Sequence, residues 1–212
     1  MKRAKKLVLG AVLFVLAMAF SVTASAASYA PSKVTFTKAQ ISTSGRLQLG
    51  WKQVSNANGY RVKFLDYSKK KVTTKNLAGK TNISYTTTLD KNTVYRVSVS
   101  AYRVKNSKKW YSAEVQFLAS AARVYGSKNA TKSAITVTWN KLKGVNGYRI
   151  YRSWSANTGY TYYKALSANT TQYRFTGLTS QRRYIRIIPY KVIDGKKYNL
   201  PYNTFSIYQR YV

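Results

Sequence analysis

The chain has 212 residues, no cysteine, no histidine and a formal net charge of +33, from 37 lysines and arginines against 4 acidic residues. This composition excludes a disulfide framework and metal sites of the usual histidine or cysteine type, and it removes the commonest general base. An apolar fraction of 45%, with 20 tyrosines, 7 phenylalanines and 4 tryptophans, favours packed cores over disorder.

Residues 1–26 have the pattern of a secretory signal peptide. A basic segment at 2–6 precedes an apolar run of 14 residues at 7–20, and Ala24-Ser25-Ala26 supplies a small-residue cleavage site. An uncleaved membrane anchor is the alternative, although a spanning helix needs about 20 apolar residues. We expect cleavage near Ala27, secretion, and no transmembrane segment after signal cleavage. Cleavage removes four basic residues and leaves a charge of +29.

Residues 29–119 alternate apolar and polar positions at period two, which predicts about seven short β-strands and no helix. The clearest alternation runs from Tyr95 to Tyr102. Asn56 to Gly59 predicts a turn, because Asn and Gly tolerate positive φ. A short edge strand is expected at 72–75, where lysines discourage pairing with another sheet.

Residues 120–212 repeat this plan after a short linker at 118–122, which contains neither proline nor glycine and predicts limited hinge freedom. The repeat is marked by a tryptophan followed nine residues later by Tyr-Arg and a β-branched residue. Trp51 precedes Gly59-Tyr60-Arg61-Val62, and Trp139 precedes Gly147-Tyr148-Arg149-Ile150, 88 residues further on. A repeat of this length with β-strand periodicity predicts two sandwich domains.

The order and spacing of these residues resemble the fibronectin type III family, and specifically tandem modules of secreted bacterial proteins. The Leu89, Tyr95, Val97, Val99, Ala101 pattern matches the family's later strand. The resemblance implies an all-β fold of two consecutive immunoglobulin-like, seven-stranded β-sandwiches. It also implies a structural core role, without ligand contact, for Trp51, Tyr60, Tyr95, Trp139 and Tyr148.

The second copy departs from the pattern near Arg186. Keeping the spacing from Leu178 to Tyr184 places Arg186 in the core, whereas counting back from Pro189 places Ile185 and Ile187 there instead. A one-residue slip exchanges the two faces of a strand, so these registers exclude each other. We favour the isoleucines inside, because burying an unpaired arginine is costly. The tyrosine corner implied for Tyr184 is then in doubt.

The acidic side chains offer little chemistry for an enzyme. The chain contains Asp66, Asp90, Glu114 and Asp194, which are far apart in sequence, so a paired-carboxylate site is hard to build. No Ser-His or Cys-His pair and no glycine-rich phosphate loop is present. We predict a non-enzymatic protein without cofactor or metal, in which the acids serve as turn residues and local ion-pair partners.

Clustered lysines and arginines are the main functional clue, because so few acids offset them. Any single cluster could be solvated turn charge that aids solubility. Taken together they predict binding of polyanions, such as teichoic acids, anionic lipids, acidic glycans or extracellular DNA. The candidate residues are Lys69, Lys70, Lys71, Lys108, Lys109, Arg182, Arg183, Lys196 and Lys197.

Clustered aromatic residues are the second clue. Exposed rings stack on sugars or bases, although cross-strand packing and protein contacts are alternative roles for tyrosine-rich strands. The candidate platform residues are Trp110, Tyr111, Trp154, Tyr160, Tyr162 and Tyr163.

Two functions follow from these features. The first is a secreted binding or adhesion module pair that docks to an anionic surface polymer, a glycan or another extracellular protein. The second is a structural spacer that its charge holds near an acidic cell wall. Nucleic-acid binding is expected to be non-specific, since any polyanion responds to the same charge.

Overall fold

We describe the protein from a computed structural model of the chain. The structure describes residues 29–42, 44–121, 124–131, 133–200, 202 and 204–207, and within these only the backbone of 124–131, 204 and 205. The predicted signal peptide lies outside the described residues. Every regular element in the described part is a β-strand, and none of it forms a helix long and apolar enough to cross a membrane.

Eight strands form the first domain. They are β1 (Phe36–Ile41), β2 (Arg46–Trp51), β3 (Gly59–Asp66), β4 (Lys71–Ala78), β5 (Ser84–Thr88), β6 (Tyr95–Lys105), β7 (Lys108–Tyr111) and β8 (Val115–Ala119). Eight further strands form the second domain. They are β9 (Val124–Thr131), β10 (Ala134–Trp139), β11 (Gly147–Ser153), β12 (Thr161–Ser167), β13 (Gln172–Phe175), β14 (Arg183–Ile193), β15 (Lys196–Asn199) and β16 (Thr204–Ile207).

Each domain contains a three-stranded and a five-stranded antiparallel sheet. The first domain has the orders β1-β2-β5 and β4-β3-β6-β7, with β8 also paired to β6. The second has β13-β10-β9 and β12-β11-β14-β15, with β16 also paired to β14. Because the last two strands of each domain pair successively with one neighbour, they act as one interrupted strand. This arrangement confirms the prediction of two seven-stranded sandwiches.

The repeated tryptophan and tyrosine lie in the centre of each core. Trp51 and Tyr60 have 1% and 0% of their surface exposed, and their ring centroids are 5.2 Å apart. Trp139 and Tyr148 repeat the contact at 5.4 Å. The Tyr60 hydroxyl accepts a hydrogen bond from the Val54 N–H at 3.0 Å, so this side chain also fixes the preceding loop. Burial of a polar ring end is tolerated because the hydroxyl has a partner.

Glycine in the repeated Gly-Tyr-Arg sequence is required by close packing. The predicted turn is present, with the Ala57 N–H donating to the Val54 carbonyl at 3.2 Å, but it needs no positive φ at Asn56, Asn58 or Gly59. Instead, a Cβ on Gly59 would clash with the Leu77 carbonyl oxygen and lie 2.6 Å from the Tyr102 hydroxyl. A Cβ on Gly147 would lie 2.9 Å from the Tyr190 hydroxyl. The glycine therefore lets a tyrosine of the neighbouring strand cover the backbone.

The strand β14 has the register that we favoured. Ile185 and Ile187 are 0% and 2% exposed, and the alternation places Arg186 on the outer face of the sheet. The tyrosine corner predicted for the first domain centres on Tyr95, whose ring is half-buried and packs against the core. The strand pairings keep a constant 88-residue offset, which puts Arg183 at the position of Tyr95. Arg183 cannot make the hydroxyl contact, so this corner is absent from the second domain.

A hydrogen-bonded joint connects the two domains. Thr93 forms a parallel bridge with Lys143, the Val94 N–H donates to the Lys143 carbonyl at 3.0 Å, and the Lys143 N–H donates to the Asn92 carbonyl at 2.7 Å. Val94 is fully buried within the core cluster of the second domain, against which Leu118 also packs. These contacts restrict rotation between the domains, as expected from the short linker.

The edge strands β4 and β12 carry a lysine on their inward side. The β4 strand is longer than the predicted 72–75 and remains exposed along nearly its whole length. Lys75 lies opposite buried Val62, and Lys164 lies opposite buried Ile150. An inward-pointing charge on an edge strand opposes pairing with another sheet, so both free edges are protected in the same way.

Candidate functional site

The four acidic residues occupy structural positions. Asp66 accepts hydrogen bonds from Ser68 and Lys69 within the β3–β4 turn, and Asp90 lies 3.9 Å from Lys143 at the joint. The Asn92 N–H bonds to Asp90 and holds the pKa of its carboxyl below the ordinary value. Asp194 lies in the β14–β15 turn with φ 49°. The described residues contain no group of three potential metal ligands.

Glu114 sits on the outer face of the first domain's five-stranded sheet. Its carboxylate lies 2.5 Å from the Lys63 ammonium and 3.5 Å from the Arg61 guanidinium, and it accepts a hydrogen bond from Gln116. Burial would raise the pKa of Glu114, but the hydrogen bonds from Lys63 and Ser98 and the nearby charges outweigh it and hold this pKa low. One carboxylate therefore offsets two cations on this face.

The same face of the second domain has different chemistry. At the 88-residue offset, Tyr202 stands in place of Glu114, Tyr151 in place of Lys63, and Arg186 in place of Ser98. Arg149 corresponds to Arg61, but its guanidinium lies 5.1 Å from the centre of the Tyr190 ring. Among the described residues no carboxylate lies within ion-pair distance of it. Compared with the first domain, the outer face of the second domain therefore has a tyrosine in place of the glutamate and one in place of a lysine.

Basic residues also differ in type between the domains. Of the 17 basic residues at 29–119, four are arginine, whereas eight of the 16 at 120–212 are arginine, and Asp194 is the only acid in the second set. A guanidinium presents a planar fork to carboxylate, sulfate or phosphate groups and also packs against rings, which a lysine ammonium does less well. The second domain is therefore better suited to bind anions.

A folded loop at 154–160 presents part of the aromatic set. The Arg186 guanidinium lies 3.5 Å from the centre of the Tyr160 ring and donates to the carbonyl oxygens of Ala156 and Asn157 at 3.5 and 3.4 Å. The Tyr160 hydroxyl donates to the Ala156 carbonyl at 2.9 Å, and Ser153 donates to Thr158. These contacts hold the loop on the sheet.

The structure separates the predicted aromatic platform residues of the second domain into three groups. Tyr162 is 58% exposed and packs edge-on against Tyr151, which lies opposite it on the outer face. Trp154 is 57% exposed at the end of the sandwich remote from the joint, with the Arg183 guanidinium 3.9 Å from its ring centre. Tyr163 instead contacts Tyr173 near the second sheet. The platform is therefore not one flat surface.

The predicted aromatics of the first domain are largely covered. Trp110 packs against the ring of Tyr29 at 5.5 Å, with the Lys108 ammonium 4.7 Å away. Tyr111 lies beneath the Arg61 guanidinium at 3.5 Å. Both rings are only half-exposed, so they offer less contact surface than Trp154 or Tyr162.

The predicted basic clusters lie at turns and strand ends around both domains. Lys69, Lys70 and Lys71 occupy the β3–β4 turn, next to the joint, and Arg182 and Arg183 stand at the start of β14. Several members pack against rings: Lys109 on Tyr102, Lys196 on Tyr198, and Lys197 on Tyr190. The structure brings Arg183 together with the predicted Trp154, and Lys108 with the predicted Trp110.

Sequence reasoning missed Arg149, Arg186, Tyr190 and Tyr202. Their signal was present in the choice of register, because placing Ile185 and Ile187 inside puts Arg186 outside and opposite Tyr151. Together with three aromatic residues already discussed and one lysine, these residues define what we call the arginine–tyrosine face. Its members are Arg149, Tyr151, Tyr160, Tyr162, Arg186, Tyr190, Lys197 and Tyr202.

No family model matches the sequence, and no curated protein sequence matches it. Among solved structures, it resembles a two-domain fibronectin type III segment of chicken tenascin, with 17% identity, 83% of this chain and 96% of that chain covered, and a TM-score of 0.45. It also resembles the FN1–FN3 domains of chicken CNTN1, with 18% identity, 86% and 67% covered, and a TM-score of 0.34. By its own strand order, paired sheets and repeated cores, the chain consists of two consecutive fibronectin type III folds.

Proposed function

We propose that the chain is a secreted, non-catalytic binding module pair in which the arginine–tyrosine face docks to an anionic extracellular polymer. The first domain holds the second in a fixed orientation, because Val94 packs in the second core and Thr93 forms a β-bridge with Lys143. The predicted signal peptide supports secretion. The excess of positive charge then favours retention at an acidic cell wall.

One observation carries this proposal. The arginine of the repeated Gly-Tyr-Arg sequence packs on a tyrosine ring in both domains, but among the described residues only Arg61 is also ion-paired, to Glu114. The two arginines occupy the same position in the fold. The difference between their neighbours therefore reflects what each outer face can bind, and not the structural role of the motif. A spacer held only by net charge gives no reason for that difference.

The test compares Arg149→Gln with its positional counterpart Arg61→Gln. Binding to an acidic wall polysaccharide would be measured by titration at physiological salt, with a mucin-type glycan and duplex DNA as competitors. We expect Arg149→Gln to weaken binding about two- to fivefold, as for an exposed ion pair. Arg61→Gln should leave it unchanged, because Glu114 already occupies that guanidinium. Equal losses in both variants would favour the spacer function.

A further inference from the structure

The cations of the arginine–tyrosine face lie in a row along β14. Arg186 is on the strand itself, Arg149 lies opposite Ile188 two residues further on, and Lys197 lies opposite Val192. Two residues of a strand advance about 7 Å, so the row extends roughly 20 Å from Arg186 to Lys197. A single small anion cannot contact both ends of such a row.

Both ends of the row have defined neighbours. Beyond Arg186, Arg183 lies on the other side of β14, opposite buried Ile207, and packs against exposed Trp154 at the remote end of the domain. At the other end Asp194, the only acid of the second domain, follows β14 directly. Lys196 and Lys197 follow Asp194 in the β14–β15 hairpin and Lys69 to Lys71 lie next to the joint, so an anionic chain is attracted along the whole row.

We infer that the second domain binds a linear acidic polysaccharide, laid as an extended chain along β14; this inference rests on the proposed function. The guanidinium groups favour an acidic sugar chain, whose carboxylates they can bind without ring stacking, over single-stranded nucleic acid. Bases need open ring faces for stacking, whereas guanidinium groups cover Tyr160 and Tyr190. An acidic peptide would be expected to add at the free edge of β12, which inward-pointing Lys164 protects.

The experiment measures the dissociation constant for uronic-acid oligomers of increasing defined length by calorimetry. We expect affinity to rise roughly two- to fivefold with each further cation reached, and to level off once the oligomer spans the row. The double variant Arg149→Gln/Lys197→Gln should abolish this gain with length, because it leaves only Arg186 of the three cations in the row. Its matched control, Arg61→Gln/Lys109→Gln, changes the equivalent positions of the first domain and should retain the full length dependence.

Three outcomes would overturn the inference. A single uronic acid that binds as tightly as the longest oligomer would indicate a one-anion site. Tighter binding of single-stranded DNA or polyglutamate of matched charge would indicate another polymer class. If affinity depended on oligomer length equally in the double variant and its control, the cations responsible would lie outside the arginine–tyrosine face. The proposed function fails separately, if neither the oligomers nor the parent polysaccharide bind at all.

Discussion

Trp51→Ala is expected to lower the free energy of unfolding of the first domain by about 3–5 kcal/mol, the range for deleting a large buried ring. Trp51 is 1% exposed and packs against Tyr60 and Phe36, so the substitution leaves a cavity between the two sheets. The first domain should therefore unfold before the second. The measurement is urea unfolding followed by circular dichroism, which resolves the two transitions.

The joint adds a second expected effect of Trp51→Ala. Val94 belongs to the first domain but is fully buried in the core of the second, so unfolding the first domain exposes it. Exposing one such side chain should lower the free energy of unfolding of the remaining domain by about 1.5–3 kcal/mol. The control is Trp154→Ala, whose ring is 57% exposed and whose loss should change stability by less than about 0.5 kcal/mol. Equal destabilisation by both variants would contradict the assigned core.

Gly59→Ala is expected to destabilise the first domain by about 2–3 kcal/mol, although alanine is normally tolerated in a strand. The added methyl group would collide with the carbonyl oxygen of Leu77 on β4 and the ring end of Tyr102 on β6. The backbone of β4 and the Tyr102 ring confine the added methyl group from both sides, so β3 must move away from its neighbours. Gly147→Ala should act in the same direction in the second domain, where the Tyr190 hydroxyl is 2.9 Å from the added atom.

Gly50→Ala is the matched control for this effect. A Cβ there would meet the Thr37 side-chain oxygen at 3.1 Å, and that side chain can rotate away. Denaturant unfolding of the three glycine variants should therefore rank Gly50→Ala as the mildest. If Gly59→Ala were as stable as the unaltered protein, close packing by Tyr102 would not explain the repeated glycine.

The sandwich fold could be predicted from sequence because its signals are local. Period-two alternation locates strands, and the cost of burying a charge decided the register that places Ile185 and Ile187 inside. The reason for Gly59 could not be found in this way, because Tyr102 comes from a strand more than forty residues away. Local turn propensity predicted the turn but not the close packing that requires glycine at position 59.

The candidate site was harder to predict for the same physical reason. Whether a surface arginine is neutralised depends on which side chain the neighbouring strand brings to it. Arg61 and Arg149 have nearly identical local sequences, but the segment between β7 and β8 brings Glu114 to the first, whereas no described carboxylate reaches the second. The clusters of consecutive lysines and arginines were visible in the sequence, whereas single basic residues aligned across strands become a surface only in the folded sheet.

The most direct test of the account exchanges the residues that distinguish the two faces. Tyr202→Glu places the first domain's carboxylate beside Arg186, whose guanidinium lies 5.4 Å from the Tyr202 ring, and Glu114→Gln removes it from Arg61 and Lys63. Titrated with an acidic polysaccharide at constant salt, Tyr202→Glu should bind about threefold or more weakly. Glu114→Gln should bind at least as tightly as the unaltered protein and gain sites on the first domain. Unchanged affinity in Tyr202→Glu, or a loss in Glu114→Gln, would contradict the assignment of binding to the second domain.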